Sequence, residues 1–175
     1  MKITLILNGV RCTDEIAPDM VLLDYLRSKG CLSVKRGCET SNCGLCTVHM
    51  DGKPVLSCSV LAARADGHTI TTLEGCQKQA EELGAFLADE GGEQCGFCSP
   101  GFLMNVLAME QELDDPTEEE ILEYLAGNLC RCTGYQSQLR SLRNYLNSKK
   151  EGAAMDLEAN VYGEDVGKEW KHEGI

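Results

Sequence analysis

Eight of the chain's eleven cysteines fall into two groups of four, and spacing decides the chemistry open to each. The first group is Cys38-x4-Cys43-x2-Cys46, with eleven residues intervening before Cys58. A C-x4-C-x2-C run with a distant fourth cysteine is the plant-type spacing for a [2Fe–2S] cluster. One loop has to turn three sulfurs inward around two irons while its backbone N–H groups point at them. Gly37 and Gly44 let the backbone approach closely or take the positive φ that such wrapping needs. A four-cysteine zinc site would want two C-x2-C-like knuckles, which the x4 gap fits poorly. The spacing therefore points to Cys38, Cys43, Cys46 and Cys58 as iron–sulfur ligands.

The second group is Gln94-Cys95-Gly-Phe-Cys98-Ser-Pro-Gly101 together with Gly127-Asn-Leu-Cys130-Arg-Cys132-Thr-Gly-Tyr135. Its spacing alone is ambiguous, because C-x2-C with a later C-x-C also suits zinc, and a lone C-x-x-C suits a redox dithiol. The local helix signals favour iron–sulfur. Cys98 precedes one predicted helix, and Cys130 and Cys132 precede another. An oxidised [2Fe–2S] centre with four thiolates is a dianion, and helix N-termini offer it partial positive charge and free N–H groups. Arg131 would add a counter-charge. Zinc stays open at this point.

Nothing else in the chain matches a catalytic pattern. Cys12, Cys31 and Cys76 have no partner at ligand spacing and read as small apolar groups. His49, His68 and His172 are scattered, and there is no G-x-G-x-x-G, P-loop, G-x-S-x-G or H-E-x-x-H. The carboxylates at Asp114-Asp115 and Glu118–Glu120 are explained by a turn and a helix start.

The elements that must position the cysteines change character along the chain. Up to residue 75 the pattern is strand and turn. Ile3, Leu5 and Leu7 alternate, Asn8-Gly9 predicts a hairpin turn, and a short strand follows over Val10–Thr13. Leu22, Leu23 and Leu26 predict a short helix stopped at Gly30. A second hairpin is expected over Thr47–Met50, Asp51-Gly52 and Pro54–Ser57, and a last strand over His68–Thr72. Four or five strands with one helix across them make a β-grasp arrangement.

From residue 76 to 150 the period becomes helical. Leu83, Phe86 and Leu87 form one stripe, and Ser99-Pro100 reads as an N-cap with proline at the first helical position. Thr117 and Glu120 form a capping box before Ile121, with Gly127 placed to stop that helix. Leu139, Leu142 and Leu146 mark a fourth helix, and short connections predict a small bundle.

Residues 1–75 carry no net charge, residues 76–150 carry −7, and residues 151–175 carry −5, within a total of −12. That acidity disfavours nucleic acid and anionic membrane surfaces as partners. No apolar run reaches the roughly 18 residues of a membrane span, and the N-terminus lacks a secretory h-region. A cytoplasmic protein is expected. The tail keeps no period, and it is expected to be mobile alone and to order along a partner subunit with Trp170 as anchor.

The plant-type loop followed by Q-C-G-F-C-S-P-G and G-N-L-C-R-C-T-G-Y resembles the small iron–sulfur subunit of the molybdenum hydroxylases, the xanthine dehydrogenase and aldehyde oxidoreductase family. The resemblance runs from residue 1 to about 148, and Thr71-Thr-Leu-Glu-Gly75 looks like that family's bridge between domains. It implies an α+β chain: a β-grasp ferredoxin domain over 1–75, a four-helix domain over 76–150, and a tail over 151–175. It implies two [2Fe–2S] clusters, the second held by Cys95, Cys98, Cys130 and Cys132.

By the same resemblance a large partner subunit holds a molybdopterin-type molybdenum cofactor and another holds FAD. Gln94 and Cys132 would touch the pterin, and the first cluster would lie nearer the flavin. The expected role is an electron relay, for a purine or related N-heterocycle, with aldehydes and other aromatic heterocycles as alternatives. A free-standing ferredoxin and a zinc-stabilised binding module are the rival readings. Two positions depart from the family pattern. Ser41 stands where glycine is usual, and Leu45 stands where alanine is usual. The larger Leu45 is expected to reshape the exposed side of the first cluster.

Overall fold

Alternation in the first strand sets the sheet. In the computed structural model, which describes residues 1–151, β1 (Lys2–Leu7) buries Ile3, Leu5 and Leu7. The expected tail and its Trp170 anchor lie beyond the described residues. Asn8 and Gly9 both take positive φ, 50° and 83°, as a primed hairpin turn requires. The chain then returns as β2 (Val10–Glu15), two residues longer than the sequence predicts. Asp51 and Gly52 repeat the device between β3 (Thr47–Met50) and β4 (Lys53–Leu56). The last strand, β5 (Thr69–Thr71), lies parallel to β1 and antiparallel to β3, giving the order β2-β1-β5-β3-β4.

Helix α1 (Leu22–Ser28) buries Leu22, Leu23, Tyr25 and Leu26 against this sheet, and Gly30 follows it at φ +87°. The mixed five-stranded sheet with its helix is the expected β-grasp. The second hairpin ends at Leu56 instead of Ser57, because a single tight helical turn, Ser57–Ser59, takes over and carries Cys58.

Four helices follow: α2 (Gln77–Asp89), α3 (Ser99–Glu112), α4 (Glu118–Leu125) and α5 (Gln136–Glu151). Their core is built from Leu83, Leu87, Phe102, Val106, Met109 and Leu142 among others. Thr117 and Glu120 form the expected capping box.

Two local expectations are corrected. Cys98, not Ser99, is the N-cap of α3, and the Ser99 hydroxyl turns to Glu93 (3.3 Å) instead of the helix N–H groups. Gly127 does not stop α4 either. The helix ends at Leu125 with Ala126 as its cap, and Gly127 is not among the left-handed glycines.

The two parts meet through backbone. Buried His49 on β3 reaches α3, its Nε2 donating to the Met104 carbonyl at 2.8 Å. A β-carbon on Gly101 would stand 2.7 Å from the Gly44 carbonyl oxygen and 2.8 Å from the Leu45 α-carbon. The start of α3 therefore lies directly on the first cysteine loop. The segment between the parts is pinned by Glu74, which accepts from Ser33 N–H (2.8 Å) and the Ser33 and Thr72 hydroxyls.

Candidate metal centres

The first cysteine loop leaves α1 and enters β3. Backbone N–H groups of Thr40, Asn42 and Cys43 aim at the Cys38 sulfur and lower its thiol to about 6. This is the inward wrapping that the spacing predicts. Cys46 lies in the sheet core, where burial pushes its thiol up to about 11. Burial also raises Cys43. A thiol held protonated by burial becomes a thiolate ligand when a cation binds at the sulfur. Half-buried Cys58 faces the Ser41 and Ser59 hydroxyls at 3.7 and 3.6 Å.

In the second group, Cys98 is buried at the start of α3, and burial pushes its thiol up to about 11. Cys130 has a hydroxyl donor, Thr133 Oγ1 at 3.2 Å. Burial raises its thiol, but the hydrogen bonds from Thr133 and Cys132 outweigh this and lower it overall. The Cys130 N–H donates to the Tyr135 hydroxyl at 3.1 Å. Cys95 and Cys132 are exposed, with their sulfurs 3.5 Å apart.

The sulfurs come together in pairs. Cys38 meets Cys43, Cys46 meets Cys58, Cys98 meets Cys130, and Cys95 meets Cys132. Two pairs per group suit a two-iron centre, in which each iron takes two thiolates. A single zinc ion needs four donors on one point. Among the described residues no three such side chains converge that way.

One pair from each group turns inward. Cys43, Leu45 and Cys98 form a single buried apolar cluster, with Cys38 and Cys130 packed against it. The Leu129 N–H donates to the Cys43 carbonyl at 2.9 Å, so a ligand of one group is one backbone hydrogen bond from the neighbour of a ligand in the other. Leu45 is 6% exposed. It does not reshape an exposed side of the first centre, as its size predicts, because its side chain fills the space between the two sulfur groups.

The remaining candidates fall as follows. Gln94 is exposed, and among the described residues its amide makes no hydrogen bond. Arg131 is exposed and in no ion pair among the described residues. Cys31 is buried in the sheet core, and Cys12 and Cys76 are half-buried, all apart from the two groups. His68 pairs with Asp51 at 2.5 Å, and His172 lies outside the described residues.

Sequence reasoning missed Gln138. It is 3% exposed in the first turn of α5, and its Nε2 donates to Cys98 Sγ at 3.7 Å. The available signal was a polar residue four before Leu142, inside the apolar stripe of the fourth helix.

Fold and site together define a two-domain iron–sulfur protein with two sulfur nests back to back. The 2Fe-2S iron-sulfur cluster binding domain matches residues 5–77, and the [2Fe-2S] binding domain matches residues 72–143. The nicotinate dehydrogenase small FeS subunit of Eubacterium barkeri is 44% identical over 138 residues, 77% of this chain and 88% of that one. The xanthine dehydrogenase iron-sulfur-binding subunit of Escherichia coli O157:H7 is 45% identical over 137 residues, 74% and 84% of the two chains.

Quinoline 2-oxidoreductase from Pseudomonas putida 86 superposes with a TM-score of 0.79 at 34% identity, over 88% of this chain and 98% of that one. Aldehyde oxidoreductase from Desulfovibrio gigas gives the same TM-score and identity over 87% of this chain, which spans 17% of that larger one. The chain belongs to the small [2Fe–2S] subunits of the molybdenum hydroxylases.

Proposed function

We propose that this chain relays electrons between a molybdenum centre on a large partner subunit and FAD on another partner subunit. The observation that carries the proposal is the shared apolar cluster of the two inner sulfur pairs around Leu45. Cys38, Cys43, Cys46 and Cys58 would hold one cluster, and Cys95, Cys98, Cys130 and Cys132 the other. Bound there, each [2Fe–2S] cluster supplies a one-electron centre able to link two-electron sites. The chain's own residues supply the path. Leu45 excludes water from the gap, and the Leu129–Cys43 hydrogen bond ties the two ligand loops together.

The outward side of the second group supports docking of the molybdenum subunit. Phe97, Leu129 and Tyr135, within three residues of Cys95 and Cys132 in sequence, are exposed, apolar surface of the kind a partner covers. The free amide of Gln94 and the exposed Cys132 are the groups to meet the pterin. The division into 1–75, 76–150 and a partner-binding tail, and a cytoplasmic location, belong to the same reading. The substrate is a purine or related N-heterocycle, in keeping with the nicotinate, xanthine and quinoline of the relatives' names. Its pocket belongs to the partner. A substrate screen of the whole complex with a dye acceptor tests this choice against aldehydes.

Cys43→Ser and Cys98→Ser test the ligands. Each should reduce the iron content from about four to about two per chain, removing one cluster and leaving the other. A variant that kept all its iron would overturn the ligand set of its group. Colourless protein with zinc and no iron would end the relay reading, and a chain that purifies alone from its source would favour a free-standing ferredoxin.

A further inference from the structure

Gln138 is a polar side chain buried with one end of its amide unmatched among the described residues. It sits in the first turn of α5 with 3% of its surface exposed, beside Leu139 and four residues before buried Leu142. Its Oε1 has no partner among the described residues. An apolar residue of similar length would fill the place without burying an unmatched acceptor. The other end of the amide is committed. Nε2 donates to Cys98 Sγ at 3.7 Å, within a buried environment in which Cys98 itself is 8% exposed.

We propose that the Gln138 amide sets the reduction potential of the second cluster through its N–H···S hydrogen bond to Cys98. This inference rests on the ligand reading above. One electron converts the cluster with its thiolates from a dianion to a trianion, and burial in a low-dielectric interior opposes that gain of charge. A donor dipole aimed at a ligand sulfur counters burial, because it stabilises the more negative state more. The effect is greatest where water is excluded, and the Cys98 side of the group is its buried side.

Apart from the cysteines themselves, the other side-chain donors at ligand sulfurs among the described residues are hydroxyls. Ser41 and Ser59 face Cys58, and Thr133 faces Cys130. A hydroxyl can rotate its proton to another acceptor. The Gln138 amide is planar and buried, and Cys98 Sγ is the one acceptor its Nε2 has among the described residues. It therefore makes the second cluster easier to reduce, favouring arrival of an electron at the end of the relay that meets the molybdenum subunit.

The test is Gln138→Leu in the full-length chain purified with both clusters. The two electron paramagnetic resonance signals are assigned by their separate loss in Cys43→Ser and Cys98→Ser. A redox titration of Gln138→Leu should show four irons retained and the first cluster's midpoint unmoved. The equilibrium constant for reducing the second cluster should fall about tenfold, which is about 59 mV for a one-electron couple. The melting temperature should hold or rise.

An unmoved second midpoint, or equal movement of both, overturns the inference while leaving the ligands intact. If Gln138→Leu lost the second cluster, Gln138→Met keeps the length and flexibility of the side chain and is titrated in its place. Loss of that cluster in both variants would make Gln138 a structural residue and overturn the inference. Wild-type protein with fewer than four irons would instead overturn the ligand reading.

Discussion

Ser41 holds φ at +59°, where a β-carbon is strained by about 1–2 kcal/mol. The loop has to make this left-handed step to bring Cys43 back beside Cys38, which is why glycine is the easier residue there. The Ser41 hydroxyl offsets the strain by bonding to Ser59 at 2.5 Å while facing Cys58. Ser41→Ala keeps the strain and loses the bond, so urea denaturation should find it less stable than Ser41→Gly by about 1 kcal/mol. Glu74 is a second case in which hydrogen bonds outweigh an unfavourable position. Burial raises its carboxyl, but the Ser33 and Thr72 donors bring it below the ordinary 4.5. A carboxyl lowered by folding contributes stability that is full above about pH 4.5 and is lost as pH falls through its lower folded value. Glu74→Gln should cost about 1–3 kcal/mol at neutral pH, and the gap between it and the wild type should narrow below that pH. A gap independent of pH would mean that the charge of Glu74 contributes nothing.

At the scale of elements, α3 is the piece on which both halves converge. Its N-cap is Cys98, its second turn bonds His49 of β3, and Gly101 in its first turn rests on Gly44 and Leu45. Gly44 in turn takes φ +73°, and a β-carbon on it would stand 2.4 Å from the Gly127 carbonyl oxygen. Three stretches of backbone thus cross without side chains between them, and this contact brings the two sulfur groups together. Gly101→Ala should push α3 off the loop, at about 1–3 kcal/mol for overpacking against backbone that cannot rotate away. A thermal melt should record the loss. Iron content should fall as well, because the displaced helix start carries Cys98. An alanine variant with unchanged melting temperature and all its iron would show that the loops yield easily. Gly127, read at the sequence level as a helix stop, and Gly101 beside the expected cap thus have their importance in close packing between distant segments. Local pattern rules see capping, and they carry no signal for which backbones will touch.

Across the whole molecule, the readable features were those with a period or a fixed spacing. The alternation of Ile3, Leu5 and Leu7 predicts β1, and the Thr117–Glu120 box predicts α4. The plant-type loop identifies its own chemistry because ligand spacing is a geometric constraint. The inward position of Leu45 and the buried amide of Gln138 were not legible, since both follow from how the two domains pack. The same packing leaves the second centre with one dry side and one open side. Cys98 is buried among apolar groups, while Cys95 and Cys132 are exposed next to Phe97, which is 46% exposed, and Leu129, which is 48% exposed. An aromatic side chain at the centre of a partner interface commonly contributes about 2 kcal/mol or more to binding, some thirtyfold or greater in affinity. Phe97→Asp puts a charge into the proposed docking contact without touching a ligand sulfur. It should retain four irons and the melting temperature of the wild type, yet lose co-purification with the molybdenum-containing chain. Retained assembly would place the docking surface elsewhere on the molecule, and loss of iron would mean that Phe97 shields the cluster instead of meeting the partner.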